Sequence, residues 1–526
     1  MGCNTCVVML VTSFMLLQCQ NLEGANILVL FGQGSRSHNN IYVSVTTALA
    51  NRGHNLTVIT PLPIASPPPN YKQIDTSSTS LSHFSNFTAS KRVSIFGLFR
   101  NFSGLAFDNC NVTLSDPRVK LLMDPTVEGN KFDLLITSTV LAECFYGFAH
   151  VYKVPIVLIS PNGPILTTIS ATGNTALPSF VPHMLLSYTD HMTFYERLLN
   201  SVFYWGSSYM YSLTSIRQMN AVMKLSFGES IPSIADLEKY VSLVLVNTHF
   251  SFNYPQPLSP TIVEVGGIHI KPPKDLPKEL KTFLDDASKN GAIYFSLGSI
   301  LKSSGLEDET RDAFINAFSK LKQKVLWKWE GANPLPGQTK NIRLEKWLPQ
   351  QDVLAHPNVK LFITHGGLLS LQEATARGVP VVGIPFYGDQ DSNMVRINDL
   401  NAGVTLDANN LTSDNILNAI QTVLDDPKYA ESMKNLQSIV TDRPQEPIDT
   451  AMYWIEYVLR HNGAKHMKPY SSELHYLQIF LVDVVLIVFV LPALILLATI
   501  YFIIKKCLSN KSIKHRKTNA LSKKRQ

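Results

Sequence analysis

Cysteine is scarce in this chain, with six residues among 526, a density that excludes a disulfide-stapled scaffold. No His-Glu-x-x-His segment and no two Cys-x-x-Cys pairs occur among the 14 histidines and six cysteines, so the pattern of a structural zinc site is absent. Charge is sparse as well: 16% of residues are Asp, Glu, Lys or Arg, against 45% hydrophobic ones. That balance excludes a disordered chain and supplies ample apolar surface for buried cores. The formal charge of +6 does not describe the body, because Lys505 to Gln526 contains nine basic residues and no acid. Elsewhere, 37 of the 46 basic residues face all 40 acidic ones, a slightly acidic body that excludes nucleic acid as a partner. The Gly-rich turn GQGSRS has Ser37 where a dinucleotide fingerprint needs its third glycine, which argues against an NAD site.

Long apolar runs are present, and they lie at the two ends. Cys6 to Leu17, CVVMLVTSFMLL, has the length of a signal-peptide core, although no Lys or Arg precedes it. A signal peptide over 1–24 is expected, with cleavage between Cys19 and Ala25. Near the other end, Val484 to Ile504 carries no charge, enough to cross the roughly 30 Å hydrocarbon core of a bilayer as a helix. Lys505, Lys506 and the basic tail follow directly, and basic flanks stay cytosolic. The two ends together predict a single-pass type I membrane protein with its body outside the cytosol. The terminal Lys523-Lys524-Arg525-Gln526 resembles a dilysine retrieval address of the endoplasmic reticulum; the alternative is a basic pair meeting anionic headgroups. Cys110 and Cys144 remain in the oxidising compartment, and sequence leaves their pairing open. Sequons at Asn86, Asn101, Asn111 and Asn410 are candidate glycosylation sites, with Asn55 the weakest because it abuts the apolar segment LTVITP.

Between the ends the same grammar runs twice: apolar strand, Gly/Ser loop, helix, strand. NILVLF leads through GQGSRSHNN into IYVSVTTALANRG and NLTVITP, and FDLLIT and VPIVLIS follow. After the Pro/Lys-rich IKPPKDLPKEL the pattern restarts with AIYFSLGS, VLWKWE, KLFITHGG and VPVVGIP. Two parallel α/β units are expected to face a cleft at the carboxyl ends of their strands, where such sheets bind ligands.

The most informative segment is KLFITHGGLLSLQEATARGVPVVGIPFYGDQ. His365-Gly366-Gly367 ends a strand and opens a helix whose free N–H groups form an anion site. Taken alone, Ser370 and Glu373 read as a capping box, Ser-x-x-Glu. Trp347-Leu-Pro-Gln350 upstream and Asp389-Gln390 downstream complete a pattern that resembles the UDP-glycosyltransferases, in particular the membrane-bound animal branch and its arthropod members. EVGGIHI, FSLGS, PSFVPHMLLSYTDHMTFYERLLN and DTAMYWIEYVLRHNGA extend the resemblance over nearly the whole chain from Asn26.

The resemblance implies a GT-B-like α/β fold: two Rossmann-like domains facing a cleft, plus a C-terminal transmembrane helix. It assigns an acceptor-binding domain to 25–270, a linker to 271–286 and a UDP-sugar-binding domain to 287–445. A helical return to the membrane over 446–478, the span over 479–504 and a cytosolic tail over 505–526 complete the chain. Trp347 and Gln350 would hold uracil, and Glu373 the ribose hydroxyls. His365, Gly367, Ser370 and Ser299 would hold the diphosphate, and Asp389 and Gln390 the sugar. Leu369 stands where relatives often carry Asn. Asp389-Gln390-Asp391 also spells a DxD metal motif of another glycosyltransferase fold; its place after the strand favours the sugar contact, with no metal ligand expected. His38 matches the family's general base. The Asp that orients this His is replaced near Ser138 or Thr139, and Glu143 is the nearest acid able to substitute.

The implied reaction is inverting, metal-independent transfer from UDP-glucose or UDP-glucuronate, as co-substrate, to a hydroxyl of a small lipophilic acceptor. The lost Asp leaves a second reading, a silent UDP-sugar-binding partner of an active relative. The implied setting is the endoplasmic-reticulum membrane with a luminal body, in contact with the bilayer; homo- and hetero-dimers remain open.

Overall fold

Strand segments such as NILVL, LLITS, IVLIS and AIYFS show no polar alternation, the pattern of parallel strands covered on both faces. In the computed structural model, which describes residues 24–32, 35–80, 95–139, 141–331 and 334–523, the last three are buried throughout, and NILVL from Ile27 onward. The signal segment, Asn86 and the final Lys524-Arg525-Gln526 lie outside the described residues.

Two all-parallel sheets result. The first contains β1 (Asn26–Leu30), β2 (Asn55–Thr60), β3 (Tyr71–Asp75), β4 (Leu134–Ser138), β5 (Ile156–Ser160), β6 (Val241–Val246) and β7 (Ile262–Glu264), in the order β3-β2-β1-β4-β5-β6-β7. The second contains β8 (Ala292–Ser296), β9 (Lys324–Lys328), β10 (Ile342–Glu345), β11 (Val359–Thr364), β12 (Val381–Gly383) and β13 (Gly403–Thr405), in the order β10-β9-β8-β11-β12-β13. Register follows the apolar runs: Ile27 pairs with Leu56 and Leu134, and Tyr294 with Leu326 and Phe362. Each sheet is sealed on both faces by apolar side chains. Around the second, Phe295, Phe314, Phe318 and Trp327 form an aromatic cluster with centroids 4.7–6.0 Å apart.

Three features depart from or complete the linear reading. The second half of the Pro/Lys-rich stretch forms the helix Lys278–Asp285, which buries Leu280 and Leu284 with the second sheet's core. The helix Pro447–Arg460 packs onto the first sheet, placing Ala451, Met452, Ile455 and Val458 among Val45 and Leu49. There Arg52 Nη1 donates to both carboxylate oxygens of Glu456 at 3.1 Å. Cys110, on the helix Ile95–Ser115, is bonded to Cys144 beside β4 with Cα atoms 6.1 Å apart, which answers the pairing that sequence left open. Asn55, Asn101, Asn111 and Asn410 are all exposed. Asn55 opens β2, and its amide donates to the Asn26 side chain at 3.2 Å.

Residues Pro469–Gln526 form a separate compact unit. Within it Val482–Lys514 is helical and, with a mean hydropathy of 2.9 over its most apolar window, long and apolar enough to cross a membrane. A wide turn over Leu486–Val490 precedes Pro492, which lacks the N–H that would bond to the turn before it.

The disulfide closes a loop with a sequence separation of 34. Replacing both Cys110 and Cys144 by Ala is expected to cost about 2–4 kcal/mol, read as a lowered thermal midpoint that reducing agent does not lower further.

Candidate active site between two switch points

In each sheet the first strand lies between neighbours whose crossovers run to opposite faces: β1 between β2 and β4, and β8 between β9 and β11. The loops leaving the carboxyl ends of such strands diverge and open a crevice. One cavity of about 850 Å³ is lined from both switch points. His38 and Ser299 line it, as do Trp347, Gln350, His365, Gly367, Ser370, Glu373, Asp389 and Gln390. Every sequence-predicted binding position therefore reaches one cavity. Glu143 does not line it.

His38 is the third residue of the helix Arg36–Asn51, which follows β1. Its Nδ1 is buried without a hydrogen-bond partner among the described residues, and burial lowers its pKa to about 4. The positive end of the helix acts in the same direction, so the ring is neutral at physiological pH. One turn on, the Tyr42 hydroxyl meets Ser138 Oγ at 2.8 Å, and its ring stacks on Phe31.

Glu143, expected to substitute for the orienting Asp, is engaged elsewhere. Its Oε1 accepts from the Tyr211 hydroxyl at 2.8 Å and its Oε2 from the Ala142 amide at 2.9 Å. Burial raises its pKa to about 7, opposed by the Tyr211 hydrogen bond. The neighbouring Cys144 is tied to Cys110, which holds this turn toward the helix Ile95–Ser115; among the described residues His38 Nδ1 has no carboxylate partner.

On the facing lobe, the HGG turn has a tighter geometry than its letters suggest. Gly366 takes φ +81°, which L side chains rarely adopt. A Cβ on Gly367 would sit 2.5 Å from His365 Nε2, and one on Gly298, at φ +88°, 2.6 Å from His365 Cε1. The two glycines thus make room for the His365 ring. Burial, with Lys328 nearby, lowers that ring's pKa to about 4.

The helix begins at Leu368 with Gly367 as its N-cap, so the capping-box reading of Ser370 and Glu373 does not hold. The helix starts earlier than that reading requires, and both side chains are buried. Ser370 Oγ and Glu373 Oε2 accept from Gln350 Nε2 at 3.0 and 2.5 Å, and Gln351 Nε2 donates to Glu373 Oε1 at 2.9 Å. Burial raises the Glu373 pKa, and the two glutamine amides oppose it. Gln350 Oε1 accepts from the Tyr294 hydroxyl at 3.0 Å.

Trp347 is 58% exposed, with the Arg36 guanidinium 5.3 Å and Lys328 Nζ 5.5 Å from its ring centroid. Asp389 stands at the N-cap position of the next helix, Gln390–Asp399, without a side-chain capping bond; burial raises its pKa, and Asn393 Nδ2 donates to it at 2.8 Å. Gln390 Oε1 accepts from the amides of Phe386 and Tyr387 at 2.8 and 3.1 Å. Sequence reading gave no role to Gln351, Arg36, Lys328 or His269, all of which line the cavity. Adjacency to Gln350 was the available signal for Gln351, and EVGGIHI for His269. Among the described residues, no three His, Cys, Asp or Glu side chains gather as a metal site.

Two parallel α/β lobes meeting at a shared cavity are the architecture of GT-B glycosyltransferases. Solved neighbours agree on the fold: the calicheamicin glycosyltransferase CalG4 (TM-score 0.56, 18% identity, 84% of this chain and 99% of that one). Arabidopsis thaliana UGT89C1 complexed with UDP-L-rhamnose gives a TM-score of 0.56 at 16% identity over 83% of this chain and 99% of that one.

The family profile described as "UDP-glucoronosyl and UDP-glucosyl transferase" matches residues 26–519, and the chain belongs to that family. It is similar to UDP-glycosyltransferase UGT5 of Dactylopius coccus, at 39% identity over 91% of each chain. It is also similar to human UDP-glucuronosyltransferase 2B7, at 33% identity over 72% of this chain and 70% of that one. The protein is thus a UDP-glycosyltransferase, an enzyme whose family uses a UDP-sugar as co-substrate.

Because its Cβ would press on His365 from a left-handed backbone, Gly298→Ala is expected to weaken UDP binding by at least about tenfold. Isothermal titration against UDP checks this; unchanged affinity would show that the His365 ring is not part of the nucleotide site.

Proposed function

We propose that this chain transfers a hexose or hexuronic acid from its UDP-sugar to a hydroxyl of a small lipophilic acceptor, inverting the anomeric centre in one step. The observation that carries the reading is that a neutral His38, its Nδ1 without a partner among the described residues, lines the same cavity as the Gly367 helix start. The diphosphate rests against the first N–H groups of the helix Leu368–Ala376, uracil lies beside Trp347, and the ribose diol bonds Glu373. Asp389 and Gln390 read the sugar hydroxyls. The acceptor oxygen forms its bond to the anomeric carbon as the bond to UDP breaks, and its proton passes to His38. Helix dipole and backbone donors stabilise the departing diphosphate.

The apolar helix Val482–Lys514 anchors the chain in the endoplasmic-reticulum membrane with its body in the lumen, beside the bilayer from which lipophilic acceptors partition. That topology rests on the apolar helix, the basic tail and the bonded Cys110–Cys144 pair. No metal takes part in this reading.

His38→Ala is expected to abolish transfer, a loss on the order of 10²- to 10⁴-fold for a general base, while UDP affinity stays nearly unchanged. An equal loss of UDP affinity would place His38 in the nucleotide site instead. Incubation with labelled UDP-glucose or UDP-glucuronate and a panel of hydroxyl acceptors measures turnover; donor binding with no product would favour the silent-partner reading.

The pH profile is a second check. With a folded-state pKa of about 4, His38 accepts a proton at any higher pH, and its contribution disappears as pH falls through that value. A limb near pH 6.5 in kcat/KM that vanishes in His38→Ala would contradict the buried environment described here. A weakly basic imidazole demands an acidic hydroxyl, so phenols are expected to outpace aliphatic alcohols of similar size.

A further inference from the structure

We propose that Arg36 is a binding residue for the donor's base: uracil lies with one face on the Trp347 indole and the other under the Arg36 guanidinium, so that the first lobe grips a nucleotide held by the second. The inference rests on the reading above that puts uracil beside Trp347, and deepens it by naming what covers the base. Trp347 belongs to the second lobe, in the loop between β10 and the helix Gln350–Leu354, and is 58% exposed. Arg36 belongs to the first lobe, as the opening residue of the helix Arg36–Asn51. The two line one cavity, with the guanidinium carbon 5.3 Å from the indole centroid.

Two features mark this arginine as set out for a ligand. It is a cation at the positive end of a helix whose first turn carries no acid, the less favourable end for its charge. It also forms no ion pair and no side-chain hydrogen bond among the described residues, and is exposed. The other cation near the indole differs. Lys328 Nζ, 5.5 Å from the same centroid, donates to the Gly298 carbonyl at 2.8 Å and to Glu330 Oε1 at 2.6 Å. Lys328 is thus held by its own lobe, whereas the Arg36 guanidinium can shift over the ring.

A guanidinium suits that place because it is planar, weakly hydrated and able to stack on an aromatic face. Flat groups in contact stand about 3.5 Å apart, so base and guanidinium stacked in turn on the indole need about 7 Å. From its present position the guanidinium must withdraw by less than about 2 Å, which the long arginine side chain supplies without moving the helix. Arg36 and His38 share the first turn of one helix. Seating the guanidinium on the base therefore also fixes where His38 stands relative to the bound donor.

The test uses the full chain in nanodiscs, titrated with UDP and with 5,6-dihydro-UDP, whose saturated base is puckered and stacks poorly. Wild type is expected to bind UDP at least about tenfold more tightly than the dihydro compound. Arg36→Ala should lose about five- to tenfold for UDP and little for dihydro-UDP, narrowing that difference. Arg36→Lys, which keeps the charge but not the flat face, should resemble Arg36→Ala. Arg36→Tyr, flat and uncharged, should recover most of the affinity. In turnover the donor KM of Arg36→Ala should rise by the same factor as its UDP dissociation constant. Equal losses for both ligands, or recovery with Arg36→Lys but not Arg36→Tyr, would make the guanidinium a partner of the diphosphate and overturn the base contact. Unchanged or tighter UDP binding by Arg36→Ala would overturn it as well. Trp347→Ala tests the reading beneath: if it leaves UDP affinity intact, uracil does not lie at Trp347. Loss of affinity in Trp347→Ala with none in Arg36→Ala would remove the grip alone.

Discussion

A carboxyl group taken out of water organises one side of the cleft. Glu373 is only 7% exposed, and a buried acid is tolerated when its lone pairs are met by donors. Gln350 and Gln351 meet them from consecutive positions at the start of one short helix, and Gln350 reaches on to Ser370 and Tyr294. Second-lobe strands, the HGG helix and the segment carrying His269 all converge on that network. Removing the carboxyl would take one acceptor from each of two glutamine amides, leaving Gln350 Nε2 with Ser370 Oγ and Gln351 Nε2 with the His269 carbonyl.

The sheets explain why such a network arises where it does. All-parallel pairing forces every connection to cross over a face, so only the carboxyl edge at the switch point stays open. Both sheets have that opening, and the chain brings them together twice: first through the segment around His269, then through the helix Pro447–Arg460, which returns to pack on the first sheet. The Gln372 amide, from the HGG helix, donates to the Asn247 carbonyl beyond β6 at 2.8 Å. Contacts of this kind couple the geometry of the second lobe to that of the first.

The strands and the two-lobe arrangement were legible because they depend on local pattern, unbroken apolar runs and glycines where strands end, whereas the cavity-lining positions were legible through the family resemblance. What was not legible depends on direction. Glu143 is close to His38's strand edge in sequence logic, but the Cys110 bridge and the Tyr211 hydroxyl turn its carboxyl away. Ser370 and Glu373 have the spacing of a cap, but the helix starts at Leu368, so both project into a buried network instead. The glycine beside His365 suggested ligand approach; half of its reason is the imidazole it accommodates. A lone His in EVGGIHI gives no local sign that it meets a carboxyl from a helix a hundred residues later.

His38 and His365 face the same cavity with pKa values that burial lowers to about 4, and this bears on how a base without a carboxylate partner can work. A neutral imidazole whose Nδ1 has no partner among the described residues receives no help in becoming imidazolium, and loss of the orienting carboxylate costs about 10⁴-fold in serine proteases. Glycosyl transfer allows a different order. As the acceptor oxygen bonds to an anomeric carbon with oxocarbenium character, its proton becomes strongly acidic, and a weak base can take it late in the step. A low pKa keeps the ring unprotonated across the physiological range, at a kinetic cost that shrinks as the acceptor hydroxyl becomes more acidic. Under the proposed reaction, bond formation with departure of the diphosphate toward the helix start would offset part of what an orienting carboxylate contributes.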